Sequence, residues 1–204
     1  MSNFFEKFDL FSKTTLWPID FYEALLTKID NEVLSDYFYK LRDENKKGRV
    51  KSNRAGGWQS ELLNLKDKEI MPLSNEIINV VNKIGFKEQF KIFAMWGNIN
   101  SPGSYNLMHR HAHTILSGTY YVKTPKDSGQ IQFRCPVEGV LLHQWWANKL
   151  NGDYYKYNPE KGMLLIWPSF VDHWVTPNNS NDDRISISFD LIATNQYVSN
   201  GLLV

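Results

Sequence analysis

The chain has 204 residues, of which 42% are hydrophobic and 14% aromatic, and its 23 Lys and Arg residues nearly balance its 22 Asp and Glu residues. This length suits one well-filled β-rich core, so we expect a single domain over 1–204. The net charge of +1 creates no field that would recruit nucleic acid or an acidic membrane surface. No apolar run is long enough to span a membrane.

Two features predict a cytoplasmic protein. Glu6, Lys7 and Asp9 interrupt the place where a secretory signal would have its apolar run. The single cysteine, Cys135, cannot form an internal disulfide, as is usual in a reducing compartment.

Two helices are predicted in an N-terminal part that spans about 1–88. Apolar residues recur at helical spacing over 20–45, and the charged residues before Gly48 suit the end of a helix. The second helix is predicted over 74–84, with Ser74 as its N-cap and Gly85 as its stop.

From about 89 to 195 the pattern is typical of strands. β-rich runs separated by turn residues lie at 90–96, 109–123, 130–134, 163–167 and 184–192. Because no helical segment lies between them, antiparallel pairing is favoured. We therefore expect a mainly β fold, a sandwich or barrel, with flanking α-helices packed outside one sheet.

The segment 137–158 is irregular and rich in Trp and Tyr. Long irregular segments in compact domains often close over a functional site. Ordinary packing of these aromatic side chains against the sheet explains the pattern equally well, so the prediction of a lid stays open.

Three of the five histidines, His109, His111 and His113, lie in one pentapeptide. In a strand they would share a face, with neighbours about 7 Å apart. Metal–nitrogen bonds of about 2.1 Å let two neighbours reach one ion, but the two ends are too far apart. The chelating pair is therefore either 109/111 or 111/113.

A third ligand would complete a facial triad, the arrangement that leaves positions open on iron. His173 is the candidate, because it follows a predicted strand that ends at Pro168 and would lie at the mouth of a barrel. The alternative is that these histidines are ordinary polar surface positions.

The clearest predicted strand begins at Arg184 and alternates polar with apolar side chains. The apolar set, which would be buried, is Ile185, Ile187 and Phe189. Arg184 and Ser186 would share the other face, where a guanidinium and a hydroxyl suit a carboxylate ligand. The alternative places Arg184 on the solvent side of an edge strand.

Several motifs occur in the order of one known family. They are Gly56-Gly57-Trp58-Gln59-Ser60, Trp96-x-Asn98-Ile99, Tyr105-Asn106-Leu107-Met108-His109-Arg110-His111, Leu116-Ser117-Gly118-Thr119-Tyr120-Tyr121, Ser128-Gly129-x-x-x-Phe133 and Pro168-Ser169-x-x-x-His173-x-Val175. Over about 55–192 the chain resembles a family of 2-oxoglutarate- and iron(II)-dependent oxygenases of bacteria and their phages. The resemblance implies a double-stranded β-helix core, jelly-roll and cupin-like.

The resemblance also implies an activity. The protein would use Fe(II), 2-oxoglutarate and O2 to hydroxylate an unidentified substrate, with release of succinate and CO2. It would act in a bacterial cytoplasm or, if phage-encoded, in that of the host.

Carried over residue by residue, the family pattern assigns the metal ligands to His109, His111 and His173. The second ligand is usually an aspartate or glutamate in the broader superfamily, and His111 stands in its place here. Whether His111, His113 or Asp172 completes the triad therefore stays open, and Asp172 is better suited to orienting an imidazole.

The same resemblance assigns the distal carboxylate of 2-oxoglutarate to Arg184, assisted by Ser186. A tyrosine hydroxyl would add to this site, and Tyr121, rather than Tyr120, shares the parity of the 109/111 face. Asn106 is a further candidate for contact with the co-substrate, although a polar loop residue is also a common turn cap.

Two rival classes of function remain. One is a cupin-type metal dioxygenase that uses the same histidines without 2-oxoglutarate, and the other is a non-catalytic β-sandwich, a binding or virion protein. The sequence leaves the substrate open between a small molecule and a peptidyl side chain. It also leaves the oligomeric state open, with a homodimer as one candidate, and we expect no nucleic-acid or membrane partner.

Overall fold

The structure, a computed structural model, describes residues 19–136 and 154–195 and the backbone of 197–198 and 202–203. Its elements are β1 (Tyr22–Leu25), α1 (Asn31–Glu44), β2 (Asn53–Arg54), β3 (Trp58–Gln59), α2 (Met71–Ile84), β4 (Phe90–Asn100), β5 (Tyr105–His109), β6 (Leu116–Lys123), β7 (Ile131–Arg134), β8 (Tyr154–Tyr157), β9 (Met163–Pro168), β10 (His173–Val175), β11 (Arg184–Ala193), β12 (Tyr197–Val198) and β13 (Leu202–Leu203).

Two antiparallel sheets carry the fold. The large sheet has the order β1-β9-β6-β11-β4-β3 and the small sheet the order β2-β5-β10-β7-β8, while β12 and β13 pair separately. This arrangement, mainly β with two helices outside, confirms the predicted fold class. Neither described helix is long and apolar enough to cross a membrane.

The two helices cover one face of the large sheet and form the main core with it. Phe38 of α1 and Ile77 of α2 are fully buried there, and α1 packs on β6 while α2 packs on β4. Gly97 permits this packing, because a Cβ at that position would lie 2.0 Å from Cε1 of Phe38. The aromatic ring of Phe38 therefore packs directly on the backbone of the sheet at Gly97.

The opposite face of the large sheet meets the small sheet in a second apolar cluster. Trp167 and Tyr121 of the large sheet and Phe133 of the small sheet are buried in it. The rings of Phe133 and Trp167 pack edge to face at 4.9 Å. Next to this cluster the same face becomes polar, and a cavity opens there.

The prediction of one helix over 20–45 is wrong in its first half. The helix begins at Asn31, where Asp30 Oδ1 accepts bonds from the backbone N–H groups of Glu32 and Val33, both at 3.1 Å. The preceding segment forms β1 along the edge of the large sheet. Pairing with β9 overrode an apolar spacing that suits a helix as well as a short strand.

The second predicted helix is present but begins earlier, at Met71 with Pro72 in its first turn. Ser74 lies inside it rather than at its cap, and donates a hydrogen bond to the carbonyl of Met71. Gly85 ends the helix at φ 83°, as predicted. With β1, β2 and β3 in the same region, the N-terminal part is not purely helical.

The predicted strand over 109–123 is two strands. β5 ends at His109 and β6 begins at Leu116, and the turn between them contains His113 at φ 103°. The other predicted strands appear as β4, β7, β9 and β11. Residues 137–153 of the predicted lid lie outside the described residues, while 154–157 form β8, an edge strand.

Candidate active site

Two of the candidate ligands face each other across a pair of strands. His109 is the last residue of β5 and His173 the first of β10, and they are direct partners in the antiparallel register. Their ring centroids are 4.4 Å apart. Backbone pairing alone therefore brings together residues that are distant in sequence.

His111 lies beyond the end of β5, in the turn, and not on a continuous strand face. Its backbone N–H donates to the carbonyl of Ser169 at 3.0 Å. The potential ligand atoms of His109, His111 and His173 lie within 4.8 Å of one another, and the group is suited to a metal ion. The pair reaches this geometry through a tethered turn, not through the strand alternation expected from the sequence.

Each of the three imidazoles bonds an acceptor through Nδ1. The acceptors are Leu107 O, 2.7 Å from His109, Val171 O, 3.0 Å from His173, and Asp190 Oδ1, 2.5 Å from His111. A carbonyl or carboxylate has no proton to give, so Nδ1 carries the hydrogen. The lone pair then lies on Nε2 in all three rings, which suits a divalent metal.

Burial favours the neutral form that a metal needs. Desolvation lowers the pKa of His109 and holds that of His173 well below its ordinary value. Both rings are therefore neutral at pH 7.

The structure does not bring the other two candidate ligands to the group. His113 is exposed, and its positive φ lies in the turn. The carboxylate of Asp172 binds the guanidinium of Arg110 through two bonds of 2.7 and 2.9 Å. Asp172 is engaged at the surface instead of beside an imidazole.

Asp190 is the residue that the sequence reasoning missed. Besides His111 it accepts a bond from Ser117 Oγ at 2.7 Å. The signal was present, because Asp190 continues the two-residue step that begins with Arg184 and Ser186. An acidic residue on the polar face of the clearest strand is therefore a sequence signal for this site.

The floor of the cavity is built from rows across three strands. Ser186 of β11 lies between Asn98 of β4 and Tyr121 of β6. The next row, built on Ser188, has Trp96 and Thr119 on its two sides. All of these residues line the cavity, whose volume is about 780 Å³.

Arg184 is buried in the middle of the large sheet, with 2% of its surface exposed, so the edge-strand alternative is wrong. Its Nη1 donates to the carbonyl of Ser128 at 2.8 Å, but its buried Nε has no partner among the described residues. Burial lowers its pKa to about 10, which leaves it charged at pH 7. A buried, charged and unsatisfied donor beside a cavity is suited to a carboxylate.

The turn at Gly129 is shaped around this arginine. Gly129 has φ 86°, and a Cβ there would lie 3.2 Å from Arg184 Nη1 and 2.4 Å from the carbonyl of Thr176. A larger residue would therefore disturb both the turn and the guanidinium.

The two adjacent tyrosines point to opposite sides of the sheet. Tyr121 lines the cavity, and burial raises the pKa of its hydroxyl, which stays protonated as a donor. Tyr120 donates to Asn31 Oδ1 of α1 at 2.9 Å. Asn106 also lines the cavity, with its amide held by Asn100 and Ser52.

The mouth of the cavity is apolar and basic. The exposed large apolar side chains on its lining are Val50, Leu62, Phe93, Leu107 and Met108. Arg49, Lys51 and Arg110 lie among them, and Asp190 is the one acidic residue of the described lining.

A protein-family model described as "Putative 2OG-Fe(II) oxygenase" matches residues 94–190, which contain all the candidate ligands and Arg184. No curated protein matches the chain.

Solved structures share the fold at low identity. A prolyl-4-hydroxylase of Pseudomonas putida has 14% identity and a TM-score of 0.58, over 86% of this chain and 93% of the other. HygX of Streptomyces hygroscopicus, with nickel and 2-oxoglutarate bound, has 10% identity and a TM-score of 0.58, over 86% and 83%. A prolyl hydroxylase of Trichoplax adhaerens, in complex with a hypoxia-inducible-factor peptide fragment, has 14% identity and a TM-score of 0.61, over 85% and 83%.

Proposed function

We propose, from the oxygenase family model that matches residues 94–190, that the protein is a 2-oxoglutarate- and iron(II)-dependent oxygenase and that His109, His111 and His173 hold the iron. The protein is therefore an oxygenase that uses Fe(II), 2-oxoglutarate and O2. When bound, iron and 2-oxoglutarate would supply, together with O2, the oxidation of a substrate C–H group to C–OH: one oxygen atom of O2 would enter the product and the other the succinate formed with CO2 from 2-oxoglutarate.

The observation that carries the metal assignment is the common orientation of the three rings. Each Nδ1 has an acceptor, so each ring keeps its Nε2 lone pair within the same small group. Three neutral imidazoles on one side of an ion leave its other positions free for ligands. The protein's own part in the reaction is to hold these rings, and burial keeps His109 and His173 unprotonated by lowering the pKa of both.

For the co-substrate we propose that Arg184 binds the distal carboxylate. The free Nε of Arg184 supports this, since 2-oxoglutarate would satisfy a buried donor that has no partner among the described residues. Ser186 and Tyr121 are neighbours across the strands and would add hydroxyl donors to the same end. Asn106 is the further candidate contact on the opposite sheet.

For the primary substrate we propose a molecule or peptide segment with apolar surface and negative charge. The five exposed apolar side chains and the cations Arg49 and Lys51 at the mouth support this. The cavity lies in the size range of sites for drug-sized ligands, about 300–1,000 Å³, so it has room beyond 2-oxoglutarate. A prolyl hydroxylase of similar fold is in complex with a peptide fragment, which supports peptides as candidate substrates.

The central experiment is anaerobic titration of the metal-free protein with Fe(II) and then 2-oxoglutarate. We expect one iron per chain, loss of that binding in His173→Ala, and tight 2-oxoglutarate binding to the iron-loaded form. In Arg184→Ala, iron should bind normally while the 2-oxoglutarate Kd rises about 10–100-fold, because a hydrogen bond to a charged group contributes about 1.5–3 kcal/mol.

The same titration discriminates between the rivals. Unchanged 2-oxoglutarate affinity in Arg184→Ala would favour a cupin-type dioxygenase without that co-substrate. A chain that binds no iron would favour a non-catalytic binding protein. A succinate assay over candidate substrates then tests turnover.

The mouth is tested with anilinonaphthalene sulfonate, an anionic apolar dye. We expect Lys51→Glu to weaken its binding to the protein loaded with Co(II) and 2-oxoglutarate by about threefold or more, as for loss of one partly exposed ionic contact. Lys66→Glu, an exposed lysine before α2, is the matched control. Equal binding by wild type and Lys51→Glu would contradict the proposed charge preference.

A further inference from the structure

One of the three histidines is bound differently from the other two. His109 and His173 donate to backbone carbonyls, whereas His111 donates to the carboxylate of Asp190 at 2.5 Å. A carbonyl is neutral and a carboxylate carries a full charge. The negative charge next to the three-histidine group is therefore hydrogen-bonded to His111.

Among the described residues, His111 is the side chain that can balance the negative charge of Asp190. Asp190 lies in the central strand β11 with 8% of its surface exposed, and among the described residues its ion-pair partner is His111, with no Lys or Arg at that distance. Its Oδ1 also accepts from Ser117, whose Oγ lies 2.9 Å from Ser169 Oγ. A buried carboxylate is costly unless it is paired and hydrogen-bonded.

We propose that Asp190 is a positioning residue that supplies, through His111, the negative charge that a carboxylate ligand supplies in a two-histidine, one-carboxylate site. This rests on the proposed function, in which His111 binds the metal. A carboxylate on Nδ1–H fixes the tautomer and makes Nε2 a stronger donor to the metal. The chain has His111 in place of the acidic ligand, but it keeps a carboxylate, that of Asp190, hydrogen-bonded to the far side of this histidine.

The geometry excludes the simpler assignment of Asp190 as a ligand. Its Oδ1 is already shared by His111 and Ser117, and Asp190 is not in the group of ligand atoms within 4.8 Å of one another. Asp190 is also six residues along β11 from Arg184, on the same face. One rigid strand would then position the metal ligand at one end and the co-substrate at the other.

The test is titration of the metal-free protein with Co(II), followed by its visible absorption, in wild type and Asp190→Asn. The asparagine side-chain oxygen can still accept the hydrogen bond from His111 Nδ1–H. The substitution therefore removes the charge of the side chain and keeps its shape. We expect Co(II) affinity to fall about 10–100-fold, the range for loss of such an outer partner, with a changed absorption spectrum. Asp67→Asn, a half-buried aspartate that accepts from Tyr37, is the control and should alter neither.

A second pair of variants separates this role from a structural one. In His111→Asp no imidazole links Asp190 to the metal, so Asp190 can no longer act through that ring. Adding Asp190→Asn to His111→Asp should therefore change Co(II) affinity much less than the same substitution does in wild type. An equal loss of affinity in both backgrounds would mean that Asp190 does not act through His111, and would overturn the proposal.

The outcomes also distinguish this proposal from the proposed function. If wild type binds Co(II) and Asp190→Asn binds it equally well, only the role proposed for Asp190 is overturned. If wild type binds no Co(II), both fail. The melting temperature of each metal-free variant shows whether it has folded.

Discussion

Strand β11 has buried residues on both of its faces, but the two faces contact different parts of the molecule. On one face Ile187 and Phe189 are fully buried among the helices and the large sheet. On the other, Arg184 and Asp190 are 2% and 8% exposed and line the cavity. The two-residue step of a strand separates them. Burial therefore does not single out the candidate functional residues here, whereas polar partners and unsatisfied donors do.

The comparison predicts that substitutions on the two faces change different quantities. The largest effect is expected from Phe189→Ala, because the ring is fully buried against Gly118. Truncating a buried phenylalanine leaves a cavity and costs about 3–5 kcal/mol. Urea unfolding measures this loss. Normal Co(II) affinity in the folded variant is the expected companion result, and weakened metal binding without lost stability would contradict the separation of the faces.

Arg184→Met should change stability in the opposite direction. Among the described residues the guanidinium is buried without a carboxylate partner. Replacing buried charged groups by apolar side chains of similar volume is often neutral or stabilising, by up to about 4 kcal/mol. We expect a gain near the lower end, because Ser128 loses a hydrogen bond to its carbonyl. A drop of several kcal/mol in urea unfolding would show that Arg184 supports the fold as Phe189 does.

Ser186→Ala should act on co-substrate affinity alone. Removing one hydroxyl donor costs about 0.5–1.5 kcal/mol, so the 2-oxoglutarate Kd should rise roughly threefold to tenfold in isothermal titration. Ser74→Ala is the control, since Ser74 is buried in α2 and bonds its own helix. Equal Kd values for wild type and Ser186→Ala would remove Ser186 from the proposed co-substrate site.

The smallest effect belongs to neither face. Lys123 donates to Asp182 at 2.8 Å near the end of the large sheet, and this hydrogen bond lowers the pKa of Asp182. The stabilisation is present above the ordinary aspartate pKa of about 3.9 and is lost as pH falls through the lower folded-state value. Because the pair is largely exposed, Asp182→Asn should cost about 0.5 kcal/mol at pH 7 and progressively less toward pH 3.

Strand periodicity was the reliable part of the sequence analysis. The alternation that starts at Arg184 predicted both faces of β11. This inference succeeded because a strand has a fixed two-residue period wherever it pairs. The choice of Tyr121 over Tyr120 agrees with the structure, but the reason given for it does not hold, because a turn after His109 interrupts the face from which the parity was counted. The pattern over 20–45 was less informative, since a four-residue strand and a helical turn can share the same apolar spacing.

The sequence by itself determined the mainly β architecture, the polar face of β11 and the small set of histidines that chemistry and family resemblance select. Only the tertiary structure decided which of them meet. The register of β5 with β10 pairs His109 with His173, and the turn after β5 separates His113 from the group. The bond between His111 and Asp190 joins residues 79 positions apart. Contacts between distant segments depend on strand pairing, which local periodicity does not encode.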